Sequence, residues 1–119
     1  AHVYSAQVPL TLVLDHLRSS FNVGSIFRTA ECLGVSRVVL CGYTATPDEP
    51  QVQQTTMGAH AHVGWEWAAT AEAAVQALRA QGTHVVALET ACAIVYILTV
   101  PCKLRSIARH TAPHRVPYR

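Results

Sequence analysis

The stretch from Leu10 to Thr44 constrains this chain most, because its apolar residues change period twice within a short span. Leu10, Leu12, Val13 and Leu14 form an apolar run that ends at Asp15, and a polar loop carrying Arg18, Ser19, Ser20 and Asn22 follows. From Val23 the apolar positions recur at helical spacing, at Val23, Ile26, Phe27, Ala30 and Leu33. Gly34 supplies a helix stop, and Arg37 to Cys41 resumes an extended apolar run. A strand, a helix and a strand in that order predict one parallel crossover unit.

The rest of the chain extends the pattern. Gly42 to Thr56 is rich in Gly, Pro, Thr and Gln and reads as a long loop at the carboxyl end of the second strand, a place where loops are more often functional than decorative. Val63 to Trp67 reads as a short strand with Trp65 and Trp67 on one side and Glu66 on the other; such a Trp pair suits a core better than a base-stacking surface. Thr70 is a good N-cap for a helix with Ala73, Ala74, Ala77 and Leu78 on one face and Glu72, Gln76 and Arg79 on another, ended by Gly82. His84 to Leu88 has the continuous apolar character of a strand covered on both faces. The order predicts an α/β fold with a mostly parallel sheet, flanking helices and right-handed crossovers. Ala91 to Val100 fits either another buried strand or a short helix, and the segment after Pro101 reads as a basic extension.

Composition narrows the class. With 119 residues, half of them apolar and 13% charged, the chain is sized for one domain with one core and is not disordered throughout. Cys32, Cys41, Cys92 and Cys102 show no C-x-x-C spacing and read as reduced core thiols in a cytoplasmic protein. No basic stretch followed by an apolar core stands at the start, so a secretory leader is not expected. The run Ala91 to Cys102, broken by Thr99 and Pro101, is shorter than the roughly 20 residues a membrane helix needs, so no membrane partner is expected. Charge is uneven: residues 1–89 carry four Arg against seven acids, whereas 90–119 carry four Arg, one Lys and no acid. That break divides the chain into residues 1–90 and a divergent basic segment, 91–119.

In an open parallel sheet, ligands bind beyond the carboxyl ends of the strands, which selects Asp15 to Asn22, Gly42 to Thr56, and Glu89 with Thr90. Asn22 lies just before the helical period and can cap the helix. Arg28 stands between Phe27 and Ala30 on a largely apolar helix, where a cation either needs an anionic partner or ligand or snorkels to the surface. His60 and His62 form H-x-H without Cys, Asp or Glu at matching spacing, and read as solvent-facing residues leading into a strand, with no metal site expected. Cys32 and Cys41 sit in apolar runs and read as buried, not nucleophilic. No G-x-G-x-x-G or G-K-[ST] loop follows a strand, which disfavours a generic nucleotide-binding domain.

The segments LDHLRSSFNVGSIFRTAECLGV and VVLCGYT, continued by QTTMGAHAHVGWEW and GTHVVALET, resemble the SpoU (TrmH-like) branch of the SPOUT RNA methyltransferases over about residues 10 to 90. The resemblance implies a trefoil-knot α/β domain that transfers a methyl group from S-adenosylmethionine to a ribose 2′-hydroxyl of rRNA or tRNA, normally as a homodimer. By that resemblance Arg28 and Asn22 are catalytic: Arg28 approaches the target phosphate or hydroxyl, and Asn22 holds the loop and helps position the RNA. Arg18 and Ser19 join Asn22 and Arg28 as RNA-binding residues. Leu88, Glu89 and Thr90 match the first of the loops that hold the cofactor.

The family's later motifs, a Gly-Asn-Glu-like turn and an Asn and Ser at the final helix, are not found after Thr90, where no Gly, Asn or acid occurs. These segments form the knot and most of the cofactor pocket. The expectation is a truncated or frame-shifted family member, or a short paralogue with a replaced C-terminus. A second class of function follows: an RNA-binding or partner-binding half-domain without catalysis.

Overall fold

The computed structural model of the protein describes residues 8–89 and 95–101. The first strand, β1 (Val8–Asp15), leads through a tight loop into α1 (Ser20–Leu33), and β2 (Val35–Cys41) returns parallel to β1, pairing Leu12 with Val38 and Leu14 with Leu40. The crossover read from the sequence is therefore the unit that forms. Gly34 ends α1 in the left-handed conformation at φ 70°, its N–H returned to the carbonyls of Ala30 and Glu31. β3 (Gly64–Ala68) adds to β2 in parallel, α3 (Ala71–Ala80) follows, and β4 (Thr83–Glu89) and β5 (Val95–Pro101) complete a five-stranded sheet of order β3-β2-β1-β5-β4. β5 is antiparallel to both β1 and β4, so β4 runs in the direction of β1. The sheet is α/β and mostly parallel, with β5 as the reversed strand. The helix alternative for Ala91 to Val100 gives way to a strand over 95–101; residues 90–94 and 102–119, with Cys92 and Cys102, lie outside the described residues.

The alternation of the strands divides the core. Leu14, Val38 and Leu40 face α1, where they bury with Val23 and Phe27, while Val13, Val39 and Cys41 face α3 and meet Ala71 and Leu78. Both central strands are thus covered on both faces.

Several local expectations change. The segment expected as loop to Thr56 contains a two-turn helix, α2 (Pro50–Thr56), with Pro50 in its first turn and Val52 and Thr56 buried one turn apart. One apolar side chain gives no periodic signal, which is why composition pointed to a loop. Helix α1 starts at Ser20, with Ser19 as its cap, so Asn22 is a first-turn residue. In its last turn Cys32 and Leu33 are exposed while Ala30 stays in the core. On α3, whose N-cap is Thr70 as expected, the packed side is Ala71, Ala74, Val75 and Leu78; Ala73 and Ala77 face solvent. Trp65 packs against the α1-side core, but Trp67, near the end of the edge strand β3, is 56% exposed.

Candidate functional site

The loops after β1 and β2 are tied together by one buried hydroxyl. Thr44 Oγ1 accepts the Leu17 N–H at 3.0 Å, donates to the Cys41 carbonyl at 2.7 Å and lies 3.2 Å from the Leu14 carbonyl. Leu17, fully buried, anchors the loop from below. Between these points His16 takes the left-handed conformation (φ 52°), which His tolerates better than most residues, and its ring packs where a Cβ on Gly42 would stand. Gly42, at φ 62°, is the residue that lets the two loops touch.

This clamp fixes the polar groups above it. Asp15 Oδ1 lies 2.5 Å from His16 Nδ1, and the His16 ring meets Tyr43 edge-on with centroids 4.6 Å apart. Arg18 places its guanidinium 5.9 Å from the centre of the Tyr43 ring and donates from Nε to the phenol oxygen at 3.4 Å. That hydrogen bond and the accompanying attraction push the Arg18 pKa above its ordinary value. Below the clamp, burial, with the Asp15 carboxylate adding to it, pushes the Cys41 thiol up to about 11, so Cys41 is a neutral thiol at physiological pH.

Helix α1 begins where the loop ends. Ser19 Oγ accepts the Asn22 N–H at 3.2 Å, a capping role that sequence reading gave to Asn22. Serine at 19 does this because its short side chain folds back onto the first turn while its own backbone stays extended. One turn on, Gly24 is buried against α2: a Cβ there would overlap the Thr55 side chain, whose hydroxyl also lies 3.3 Å from the Ser20 carbonyl. The glycine of N-x-G-x-I-x-R thus marks a helix-helix contact.

Arg28 sits at that contact. Its Nη2 donates to Ser25 Oγ at 3.2 Å and its Nη1 lies 3.7 Å from the sulfur of Met57, the left-handed residue that ends α2. Its Nε is buried without a partner among the described residues, and no carboxylate pairs with its guanidinium among them. A guanidinium with a buried, unpartnered Nε, whose neighbours are a hydroxyl and a thioether, keeps its capacity for an anion. Asn22 and Arg28 are six residues apart on α1, a rise of about 9 Å and a turn of about 120°, so they lie on different sides of the helix.

The residues expected to hold a cofactor are set apart from these. Leu88 pairs with Tyr96 and Tyr96 with Leu14, so Leu88 stands two strands, about 10 Å, across the sheet from the end of β1. Leu88 is half-exposed, and Thr90 lies outside the described residues. A cavity of about 380 Å³ lies elsewhere, between α3 and the β2-β3 edge, lined by Arg37, Glu66, Trp67, Ala74 and Leu78 among others.

Other candidates fall into place. His60 is half-buried, its Nδ1 2.6 Å from Thr56 Oγ1, and His62 is exposed; among the described residues no group of three His, Cys, Asp or Glu could hold a metal ion. Sequence reading missed His16, Tyr43 and Thr44. The available signal was an aromatic residue placed directly after a glycine at a strand's carboxyl end.

A parallel β-α-β unit extended into a sheet with helices on both faces defines an α/β domain, with its polar loops at the carboxyl ends of the strands. A sequence profile of the SpoU rRNA Methylase family matches residues 9–108, and the chain belongs to that family. It is 41% identical over 56 residues to the mitochondrial rRNA methyltransferase 3 of Mus musculus, covering 47% of this chain and 13% of that protein. The Homo sapiens protein of the same name is 42% identical over 53 residues (44% and 13%), and the Danio rerio rRNA methyltransferase 3A, mitochondrial, 42% over 53 (44% and 12%). The matched stretch thus spans about an eighth of these relatives. No solved structure matches the chain significantly. Among the described residues no helix is long and apolar enough to cross a membrane.

Proposed function

We propose that this chain is the RNA-facing part of an S-adenosylmethionine-dependent RNA 2′-O-ribose methyltransferase acting on rRNA or tRNA. The observation that carries the reading is Arg28, a cation with a buried, unpartnered Nε and no carboxylate among the described residues, at the junction of α1 and α2. A ribose hydroxyl is a weak nucleophile, and a planar guanidinium can both grip the neighbouring phosphate and stabilise the charge that develops as the hydroxyl loses its proton. Asn22, Ser19 and Arg18, along the start of the same helix, would position the RNA backbone. The bound cofactor would supply an electrophilic methyl group, with Leu88, Glu89 and Thr90 on the first edge of its site. Residues 1–90 would form the family domain's first portion, working as a homodimer. The thiols favour a reducing compartment, the cytoplasm, although the relatives named above are mitochondrial by name.

A second reading, an RNA-binding or partner-binding half-domain without catalysis, is favoured by the sequence after Thr90, where the Gly, Asn and acidic residues of the family's later motifs do not occur. Transfer of radiolabelled methyl from S-adenosylmethionine to RNA separates the two. In the catalytic reading Arg28→Ala lowers transfer by roughly a hundredfold or more, with partial recovery in Arg28→Lys. Full methylation by Arg28→Ala would remove the residue from the mechanism. Absence of calorimetric cofactor binding at millimolar concentration would leave the half-domain reading.

A further inference from the structure

We propose that Tyr43 and Trp67, flanked by Arg18 and His16, form a stacking platform for unpaired nucleobases of RNA; this rests on the RNA reading above and specifies which part of an RNA the surface takes. Both rings are more than half exposed, Tyr43 at 58% and Trp67 at 56%, yet neither is loose. Tyr43 is held by the edge of His16 and by Arg18, whose guanidinium lies over the ring and whose Nε bonds the phenol. Trp67 donates from Nε1 to the carbonyl of Gly42 at 2.9 Å. Gly42 immediately precedes Tyr43, so the two rings hang from one turn whose conformation the Thr44 clamp sets.

Exposed aromatic area held in place in the free protein loses little conformational freedom on binding. A protein core would bury these rings, and a solvated surface would not hold them in fixed contacts. The partner's chemistry follows from the charge. Arg18 makes no ion pair among the described residues, and Asp15, the adjacent acid, is taken up by His16. A cation beside two half-exposed aromatic rings suits a ligand that offers a flat π surface and a phosphate one linkage apart, which is an unstacked nucleotide. In a duplex the base faces are covered by their neighbours, so the platform selects loops, bulges and ends. A 2′-hydroxyl target must also be reached from an accessible strand, and a platform at the same rim as α1 would hold the adjoining nucleotides there.

The test measures fluorescence anisotropy of two labelled RNAs, a hairpin with an unpaired loop and a blunt duplex of equal length, with the full chain and its variants. Tyr43→Leu is expected to weaken hairpin binding on the order of tenfold or more while leaving duplex binding and the salt slope unchanged. Tyr43→Phe should keep most of the hairpin affinity, since the ring and its contact with His16 are retained and only the phenol's bond to Arg18 is lost. Arg18→Ala should reduce the slope of log affinity against log salt by about one on both RNAs. The platform is overturned if Tyr43→Leu binds the hairpin as wild type does, if it weakens both RNAs alike, or if Tyr43→Phe loses as much as Tyr43→Leu. Wild-type binding that depends on Arg28 but not on Tyr43 removes the platform and leaves the RNA reading standing; no binding of either RNA by the wild type removes both.

Discussion

The two faces of the sheet are built differently. On the α1 side, α1, α2 and the short 3-10 turn Ala59–Ala61 bury large side chains, among them Phe27, Leu14, Leu17 and Leu40, in one continuous cluster. On the α3 side the covering helix contributes Ala71, Ala74 and Leu78, and a cavity of about 380 Å³ remains beside it. Arg28, Asn22, Ser19 and Arg18 all belong to the densely packed side. Side chains that must be held against a reacting or bound group gain from rigid support, and α1 carries Val23, Phe27 and Ala30 in the larger of the two core clusters among the described residues.

This contrast can be broken by mutation. Phe27→Ala removes a fully buried ring from the larger cluster and should cost about 3–5 kcal/mol, whereas Leu78→Ala, beside an existing cavity, should cost about 2 kcal/mol, near the low end for its type. Urea denaturation of both variants checks the order; equal losses would mean that the two faces contribute alike. Gly24→Ala tests whether α1 and α2 are locked. The added Cβ overlaps Thr55, an overpacking cost of about 1–3 kcal/mol that the better helix propensity of Ala, about 1 kcal/mol, only partly offsets. Displacement of α2 would also move Met57 from Arg28, so under the proposed RNA role RNA affinity should fall together with stability.

The smallest effect at neutral pH concerns Cys41, which lies on the thinner face. Its thiol is raised from 9.0 to about 11 in the folded protein, so the stability linked to the neutral thiol is fully present below about pH 9 and is lost as pH rises to about 11. Unfolding midpoints at pH 8 and 10.5 should fall less for Cys41→Ala than for the wild type. Alkylation in the native state should modify exposed Cys32 and spare Cys41.

What was legible in the sequence follows the same division. The β1-α1-β2 unit could be read because its apolar residues alternate or recur at helical spacing over enough length, and Gly34 marked its end. Helix α2 could not, since its two buried residues include a threonine. The exposure of Cys32 and Leu33 was hidden because an apolar residue near a helix end does not by itself say which side of the helix meets the sheet. Arg28 was legible as a cation out of place on a largely apolar helix, but its neighbours Ser25 and Met57 were not, because Met57 reaches it through the docking of α2. His16 and Tyr43 were unreadable as a pair, since their contact depends on a left-handed residue in one loop and a glycine in another.

The position of β5 has a consequence for how the chain acquires its structure. The strand that occupies the place between β1 and β4 is the last of the five in sequence, pairing Leu14 with Tyr96 across more than two-thirds of the chain. During synthesis the first three strands and their helices can assemble from local contacts, whereas β4 has no neighbour in the sheet until residues 95–101 have emerged. Contacts of such long sequence separation form late and slow the folding of the whole. The nascent chain would therefore present the open edges of β1 and β4 to solvent, an interval in which pairing with another chain competes with completion of the fold.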